Sequence, residues 1–376
     1  MLINRIVLKN FKCFENLDIS MSNLNLLSGI NSVGKSTIIQ ALLLLRQSLE
    51  QNSLQKGIFL NGAYIKIGMG RDLLYNNASN SDDISISLKD GQGKIFKWSF
   101  IYNKDSDFLN IDYSKSMNID SPNLYTEINL FNNRFEYLSA ERIAPKSSYE
   151  KSYYKVHEKN QIGIHGELAT YYLNEKWDSK IENSSVIHDP EKDENHQFQY
   201  QLEKWLSEIS PGLKITTDDY KNSTDFVVLR YRIPENQTVN TYSALNVGFG
   251  ITYVLPVIVT LLKAKKGDLL IIENPEAHLH PRGQRKMGEL IAKAAAGGVQ
   301  IIIETHSDHV LNGIRLSVKN KVIKKEETRL YFFNKVTEDG ITRHKEISPE
   351  ILEDGRLTSW PEGFFDEWDK AIDEMF

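Results

Sequence analysis

Leu24-Asn-Leu-Leu-Ser28 runs directly into Gly29-Ile-Asn31-Ser32-Val-Gly34-Lys35-Ser36-Thr37. An apolar strand meets a glycine-spaced loop, and Lys35 to Leu49 then reads as a helix. That helix carries Ile38, Ile39, Ala41 and Leu42 to Leu45, apolar on nearly every side, so it is expected inside its domain. Gly29 to Ser36 fits G-x-x-x-x-G-K-[ST] in the strand-to-helix context that the motif requires. The two glycines let backbone N–H groups turn inward as an anion nest, and the helix points its positive end at the bound phosphates. Lys35 is expected to reach the β and γ oxygens, and Ser36 to ligate Mg²⁺.

On the N-terminal side of this loop, Leu2 to Leu8 and Phe14 to Ile19 read as strands. On its other side, Tyr64 to Phe135 breaks into short alternating stretches. The clearest are Ile84 to Leu88 and Ile95 to Phe100, separated by Asp90-Gly91 and Gly93, the pattern of an antiparallel β subdomain. From Tyr137 to Tyr220 the chain turns polar and helical in character. It holds an amphipathic segment with Leu202, Trp205, Leu206 and Ile209 that stops at Pro211-Gly212, and Glu175 to Gln197 is expected as an exposed loop. After a strand at Asp225 to Ile233, the α/β alternation resumes. Gly250 to Lys263 is a helix, Leu269 to Ile272 a buried strand, Arg282 to Ala296 a helix and Gln300 to Glu304 another buried strand. The expected organisation is an N-terminal lobe over 1–136, a helical insert over 137–240, the second part of the nucleotide core over 241–335 and a tail element over 336–376.

A phosphate-loop core needs an acid at the end of a neighbouring buried strand, and Glu273 follows Ile272 there. Asn274-Pro275-Glu276-Ala277-His278-Leu279-His280-Pro281 comes next. The second buried strand ends in Glu304-Thr305-His306, which puts His306 at the carboxyl edge where open α/β sheets bind ligands, in position to sense a γ-phosphate. His278, His280, His306 and His309 admit a zinc-cluster reading. Against it, His-x-His followed by proline suits a helix face poorly, and His278 and His280 also read as loop residues that fix the turn.

The composition is that of a globular protein, with 40% hydrophobic and 25% charged residues over 376. A single cysteine, Cys13, excludes an internal disulfide and a cysteine-based metal site, which fits a reducing cytoplasm. Met1 to Lys9 has no signal-peptide core and the apolar runs fall short of a membrane span, so neither secretion nor membrane insertion is expected. A net charge of -5 confines nucleic-acid binding to local patches such as Lys263, Lys265 and Lys266, or Lys319, Lys321, Lys324 and Lys325. Such clusters also read as solvated helix ends or turns.

Leu8-Lys-Asn-Phe-Lys-Cys-Phe14, Glu273 to Pro281 and Glu304-Thr-His-Ser307 together resemble the ABC-type ATPases of the RecF, SMC and overcoming-lysogenization-defect group. Tyr137-Leu-Ser-Ala-Glu-Arg142, Asn246-Val-Gly-Phe-Gly250 and Asp354 to Asp366 extend the resemblance. The last of these is similar to a subfamily of bacterial ATPases with a C-terminal domain of unknown function, often encoded in phage-defence gene sets. The resemblance implies an α/β fold, a P-loop NTPase of the ABC-type head with a split nucleotide-binding core, an antiparallel β subdomain and a helical insert. It implies that Gly29 to Thr37, including Asn31 and Ser32, is the Walker A loop, that Glu273 is the Walker B acid and that Pro275 to Pro281 is the D-loop region. His306 would be the switch histidine, and Asn246, Gly248 and Gly250 the signature loop. The cofactors implied are ATP and Mg²⁺, and two heads would close on ATP as a dimer.

Two departures from the family pattern matter. Glu273-Asn274 stands where the family has Asp-Glu, so the usual general base is an amide. An amide takes no proton from water, and losing a base costs about 10² to 10⁴ in rate. Slow turnover follows, unless Glu276 or His306 positions the water. The glutamine expected beside the nucleotide has Gln47 as its candidate. The chain after His306 is too short for the Toprim nuclease of the overcoming-lysogenization-defect enzymes, so a nuclease or toxin effector is expected as a separate polypeptide. The aromatic tail of Trp360, Phe364, Phe365 and Trp368 is expected to dock or pack.

The leading expectation is an ATP-gated ATPase that dimerises and controls such an effector in antiviral defence. Against it stand a DNA-handling repair ATPase, a non-hydrolysing scaffold and a transporter subunit. The net charge counts against the repair ATPase, the intact Gly34-Lys35-Ser36 against the scaffold, and the form of the signature glycines against the transporter subunit.

Overall fold

Alternating apolar residues open the chain as β1 (Ile3–Phe11) and β2 (Phe14–Ser20), and the apolar run after them is β3 (Leu24–Gly29). The computed structural model describes residues 1–30, 33–79, 82–219, 225–235, 238–338, 341–364 and 372–375. Beyond the phosphate loop come α1 (Lys35–Glu50), β4 (Gly57–Phe59), β5 (Ile84–Asp90), β6 (Ile95–Phe100) and β7 (Phe108–Asn110). The middle of the chain forms β8 (Phe135–Leu138), β9 (Tyr149–Glu150), α2 (Ala169–Lys176), α3 (Phe198–Ile209), β10 (Lys214–Asp218), β11 (Phe226–Glu235) and β12 (Thr238–Ser243). Next come α4 (Phe249–Lys263), β13 (Leu269–Glu273), α5 (Pro281–Ala296) and β14 (Gln300–Glu304), followed by α6 (Asp308–Lys319), β15 (Thr328–Glu338) and β16 (Ile341–Ile347).

The chain divides into two units, one of Met1–Phe135, Thr328–Glu350 and Thr358–Phe376, the other of Glu136–Glu327 and Ile351–Leu357. In the first, β2-β1-β5-β6 is an antiparallel sheet, so the opening strands join the expected β subdomain. The β5–β6 turn is held by Asp90, whose Oδ1 accepts from the Gln92 and Lys94 amides at 2.8 and 2.9 Å. β3 pairs parallel to β15, which pairs antiparallel to β16. α1 is buried on almost every side, as its sequence demands, and even Arg46 and Gln47 are enclosed. Arg46 Nη1 donates to the Leu130 and Asn132 carbonyls, each within 2.9 Å, so its charge is satisfied inside.

In the second unit β13 runs parallel to β14, with Glu273 opposite Glu304, and β8 lies on the other side of β13. β10-β11-β12 is an antiparallel meander whose β11 also pairs with β9. α3 buries Leu202, Trp205 and Leu206 and ends before Pro211-Gly212. Three expectations need correction. The stretch 175–197 is not simply exposed: Val186 and Ile187 are buried, and the Trp205 indole donates to the Val186 carbonyl at 2.9 Å. Lys263 is not a solvated cation; it is buried and paired with the buried Glu136. The segment after Tyr137 is not wholly helical, because β9 and β10 interrupt it.

The chain beyond His306 folds as α6, β15 and β16. Ser307 caps α6, its Oγ accepting from the Val310 amide at 3.1 Å. Of the tail aromatics, Phe364 is fully buried against Phe332, with ring centroids 5.1 Å apart, and Trp360 is half exposed. Phe365 and Trp368 lie outside the described residues.

Candidate functional site

In the first unit β3 delivers the chain to Gly29, whose φ of 145° belongs to a region L-residues avoid. A Cβ there would sit 2.4 Å from the Phe333 carbonyl of β15. Gly34, at φ 112°, is the cap of α1, and a Cβ would meet Phe14 and the Cys13 sulfur within 2.8 Å. Gly29 is therefore fixed by its φ and by the backbone of β15, and Gly34 by its φ. No side chain caps α1, and the Thr37 amide donates to the Gly34 carbonyl at 3.0 Å. Lys35 is buried, its ammonium donating to the Gly29 and Ile30 carbonyls at 2.9 and 2.7 Å. Asn31 and Ser32 lie outside the described residues.

Gly34, Lys35, Ser36 and Thr37 open onto a cleft of ≈ 1010 Å³. Lys12, Lys35, Arg71, Lys335 and Arg343 line it against Glu15, Asp72 and Asp82, so cations outnumber acids, as an anionic ligand requires. Gln40 lies in the cleft and accepts from the Lys12 ammonium at 2.7 Å. Gln47 does not line the cleft. Its side chain bridges the Phe59 carbonyl and the Ile65 amide, 2.8 and 3.2 Å away, inside the protein. The glutamine two helical turns back, which does line the cleft, is Gln40, and no local signal distinguishes the two.

In the second unit Glu273 ends β13, half-buried. Tyr137 donates to its Oε1 at 3.0 Å and the Ala140 amide to its Oε2 at 3.1 Å. Desolvation pushes this carboxyl above the ordinary range, opposed by those donors and by Arg142. Arg142, itself buried and lowered to about 10 by desolvation, donates to the main-chain carbonyls of Glu273 and Asn274. Tyr137, Ala140 and Arg142 thus form a cradle for the acid, a role the sequence alone did not assign them.

Asn274 adopts φ 43°, a left-handed conformation that asparagine tolerates better than most residues. Its amide donates to the Glu304 carbonyl at 2.8 Å, which fixes the turn after β13 to the end of β14. Glu276 is buried; its Oε1 accepts from the His306 amide at 3.0 Å, and desolvation raises its pKa. Glu276 and the exposed His306 are therefore neighbours.

Asn246, Gly248 and Gly250 stand at the entry to α4. Asn246 and Gly248 are exposed, and a Cβ at Gly250 would lie 2.4 Å from the His278 carbonyl. His278 sits edge-on to Phe249 and Tyr253, each 4.9 Å away, and the His280 ring accepts from the Arg282 amide at the start of α5. Among the described residues no group of three or more His, Cys, Asp or Glu is placed to hold a metal.

Comparison with known proteins identifies residues 24–312 with the family model described as "AAA domain, putative AbiEii toxin, Type IV TA system". Residues 323–375 match "Protein of unknown function (DUF3696)". No curated protein matches the chain. Among solved structures, an SmcHead bound to the C-winged helix domain of ScpA is similar at 13% identity and TM-score 0.49, over 93% of this chain and 98% of that one. The SMC head domain from Thermotoga maritima is similar at 12% and 0.43, over 92% and 99%. An Smc head domain with an extended coiled coil, bound to the C-terminal domain of ScpA derived from Pyrococcus furiosus, is similar at 14% and 0.45, over 100% and 99%.

Proposed function

Because the chain belongs to the AAA-domain family whose model spans residues 24–312, we propose that it is an ATP-driven switch of the ABC type. Nucleotide occupancy sets its association with a second copy and its hold on a separate effector, such as a nuclease or toxin, in antiviral defence. The observation that carries this reading is the phosphate loop itself, with Lys35 held by loop carbonyls and the uncapped start of α1 open on a cation-rich cleft.

Gly29, Gly34, Lys35, Ser36 and Thr37 bind the phosphates, with Asn31 and Ser32 completing the loop. Ser36 and Glu273 each offer the hard oxygen donor that Mg²⁺ takes, and we assign them to it. When bound, Mg²⁺ neutralises charge on the phosphate oxygens. Asn274 occupies the position of the general base and leaves hydrolysis slow, with Glu276 and His306 as the groups that hold the attacking water. Asn246, Gly248 and Gly250 act as the signature loop. The exposed Leu245 and Phe249 beside them support a docking surface for a second copy. We place the protein in the cytoplasm; no helix among the described residues is long and apolar enough to cross a membrane.

The test is steady-state ATP hydrolysis with Lys35→Ala as the blank, with and without duplex DNA, together with the oligomeric state with and without ATP. Turnover above the blank and a nucleotide-dependent dimer are expected. DNA-stimulated turnover would favour a repair-type ATPase, and unchanged ATP affinity in Lys35→Ala would remove the phosphate-loop assignment.

A further inference from the structure

The segment matched by the family model of unknown function is not remote from the phosphate loop. Its strand β15 lies in register with β3, Phe333 opposite Gly29, so the hairpin of β15 and β16 runs alongside the start of the loop. Phe14 packs on both strands of that hairpin, 5.9 Å from the Phe333 ring and 6.1 Å from the His344 ring. His344 then reaches the loop directly, its Nδ1 lying 2.8 Å from the Val33 carbonyl. A carbonyl only accepts, so Nδ1 carries the proton. Lys335, cross-strand partner of His344, lines the same cleft as Gly34, Lys35 and Ser36, and so do Arg343 and His344.

We propose that the β15–β16 hairpin is a working wall of the nucleotide cleft, with His344 positioning the phosphate loop through Val33 and Lys335 and Arg343 binding the anionic nucleotide. This rests on the reading of Gly29 to Thr37 as the ATP loop and gives the carboxy-terminal segment a role in it. A hydrogen bond to Val33 restrains the residue just before Gly34, where the loop turns into α1. Losing it frees the loop amides from the geometry that a phosphate needs. Lys335 and Arg343 are exposed, so their charges cost little to present and attract phosphate through a screened field.

The experiment is calorimetric titration with ATP and Mg²⁺, and melting temperature, on the full chain and four variants. These are Lys35→Ala, His344→Ala, His344→Asn and the double variant Lys335→Ala with Arg343→Ala. His344→Ala is expected to weaken ATP about tenfold, the equivalent of one lost hydrogen bond, with little change in melting temperature. His344→Asn, whose amide still donates, is expected to recover most of the affinity. The double variant should also weaken ATP about tenfold and reduce the salt dependence of binding. Its exposed positions keep the test valid if His344→Ala does not fold. Wild-type affinity in the double variant, and in His344→Ala if it folds, alongside loss of binding in Lys35→Ala, would overturn the hairpin's role and leave the phosphate-loop reading standing. Retained binding in Lys35→Ala would remove both.

Discussion

Arg142 Nη1 donates to the main-chain carbonyl of Asn274 at 3.0 Å, across 132 positions of sequence. The same guanidinium donates to the Glu273 carbonyl, and its plane lies over the Tyr253 ring, 5.2 Å from the centroid. The Arg142 amide accepts its own constraint from that tyrosine, donating to the Tyr253 hydroxyl at 3.1 Å. A buried cation that donates to two carbonyls fixes the turn that carries the acid, and its charge also favours the ionised carboxylate.

Replacing Arg142 with alanine is therefore expected to loosen that turn and strand two part-buried acceptors. A loss of about 3 kcal/mol in unfolding free energy and a tenfold or greater fall in hydrolysis are expected, with ATP affinity nearly unchanged. Urea unfolding, a turnover assay and ATP titration on the same preparation separate the three quantities. A fall in affinity equal to the fall in turnover would show that Arg142 serves binding instead.

On the proposed assignment of Asn274 to the general-base position, Asn274→Glu supplies a carboxylate there and hydrolysis should rise tenfold or more, given that a positioned base is worth about 10² to 10⁴. The φ of 43° sets a cost. Glutamate there loses the tolerance that asparagine has for left-handed backbone, about 1 kcal/mol, so the variant should melt lower while turning over faster. Unchanged turnover would pass the catalytic role to Glu276, the buried neighbour of the His306 amide.

Lys263 and Glu136 carry the prediction for stability alone. Both side chains are almost fully enclosed, 4% and 5% exposed, and the Lys263 ammonium also lies 5.5 Å from the Tyr172 ring centroid. Lys263→Met leaves a carboxylate buried without its partner and should cost about 3–5 kcal/mol. Adding Glu136→Leu should recover most of that loss, because the pair's attraction only offsets its desolvation. Equal losses in the single and double variants, measured by urea denaturation, would mean that packing rather than charge holds this site.

The phosphate loop, α1, β13 and β14 were legible because each is a local signal: a spaced motif, or an apolar run with a polar end. Gly29, Lys35 and Glu273 could be named from their own neighbours in sequence. The cradle could not, since Tyr137, Ala140 and Arg142 meet Glu273 only through the pairing of β8 with β13. For the same reason His344, Lys335 and Arg343 gave no sign of facing a cleft; they stand in two ordinary strands, and only the register of β15 on β3 and of β16 on β15 brings them there. Lys263 misled because a basic triplet reads as solvated, whereas its partner Glu136 lies far upstream.

Glu273 supplies a pH dependence whose sign is fixed by its environment. Desolvation raises its pKa in the folded state above the unfolded value, so over that interval the folded protein binds more protons than the unfolded chain. Its stabilising contribution is present in full below the unfolded carboxylate range and is lost as pH rises through the folded pKa. Glu273→Gln removes the ionisation. The free protein should then become less sensitive to pH as it rises above the ordinary carboxylate range, and more stable than wild type once wild-type Glu273 has ionised. Hydrolysis should fall in the same variant, because the amide no longer offers Mg²⁺ a charged ligand. Melting temperature across that pH series is the measurement. A slope as steep in Glu273→Gln as in wild type would assign the dependence to Glu276, whose burial raises its pKa in the same direction.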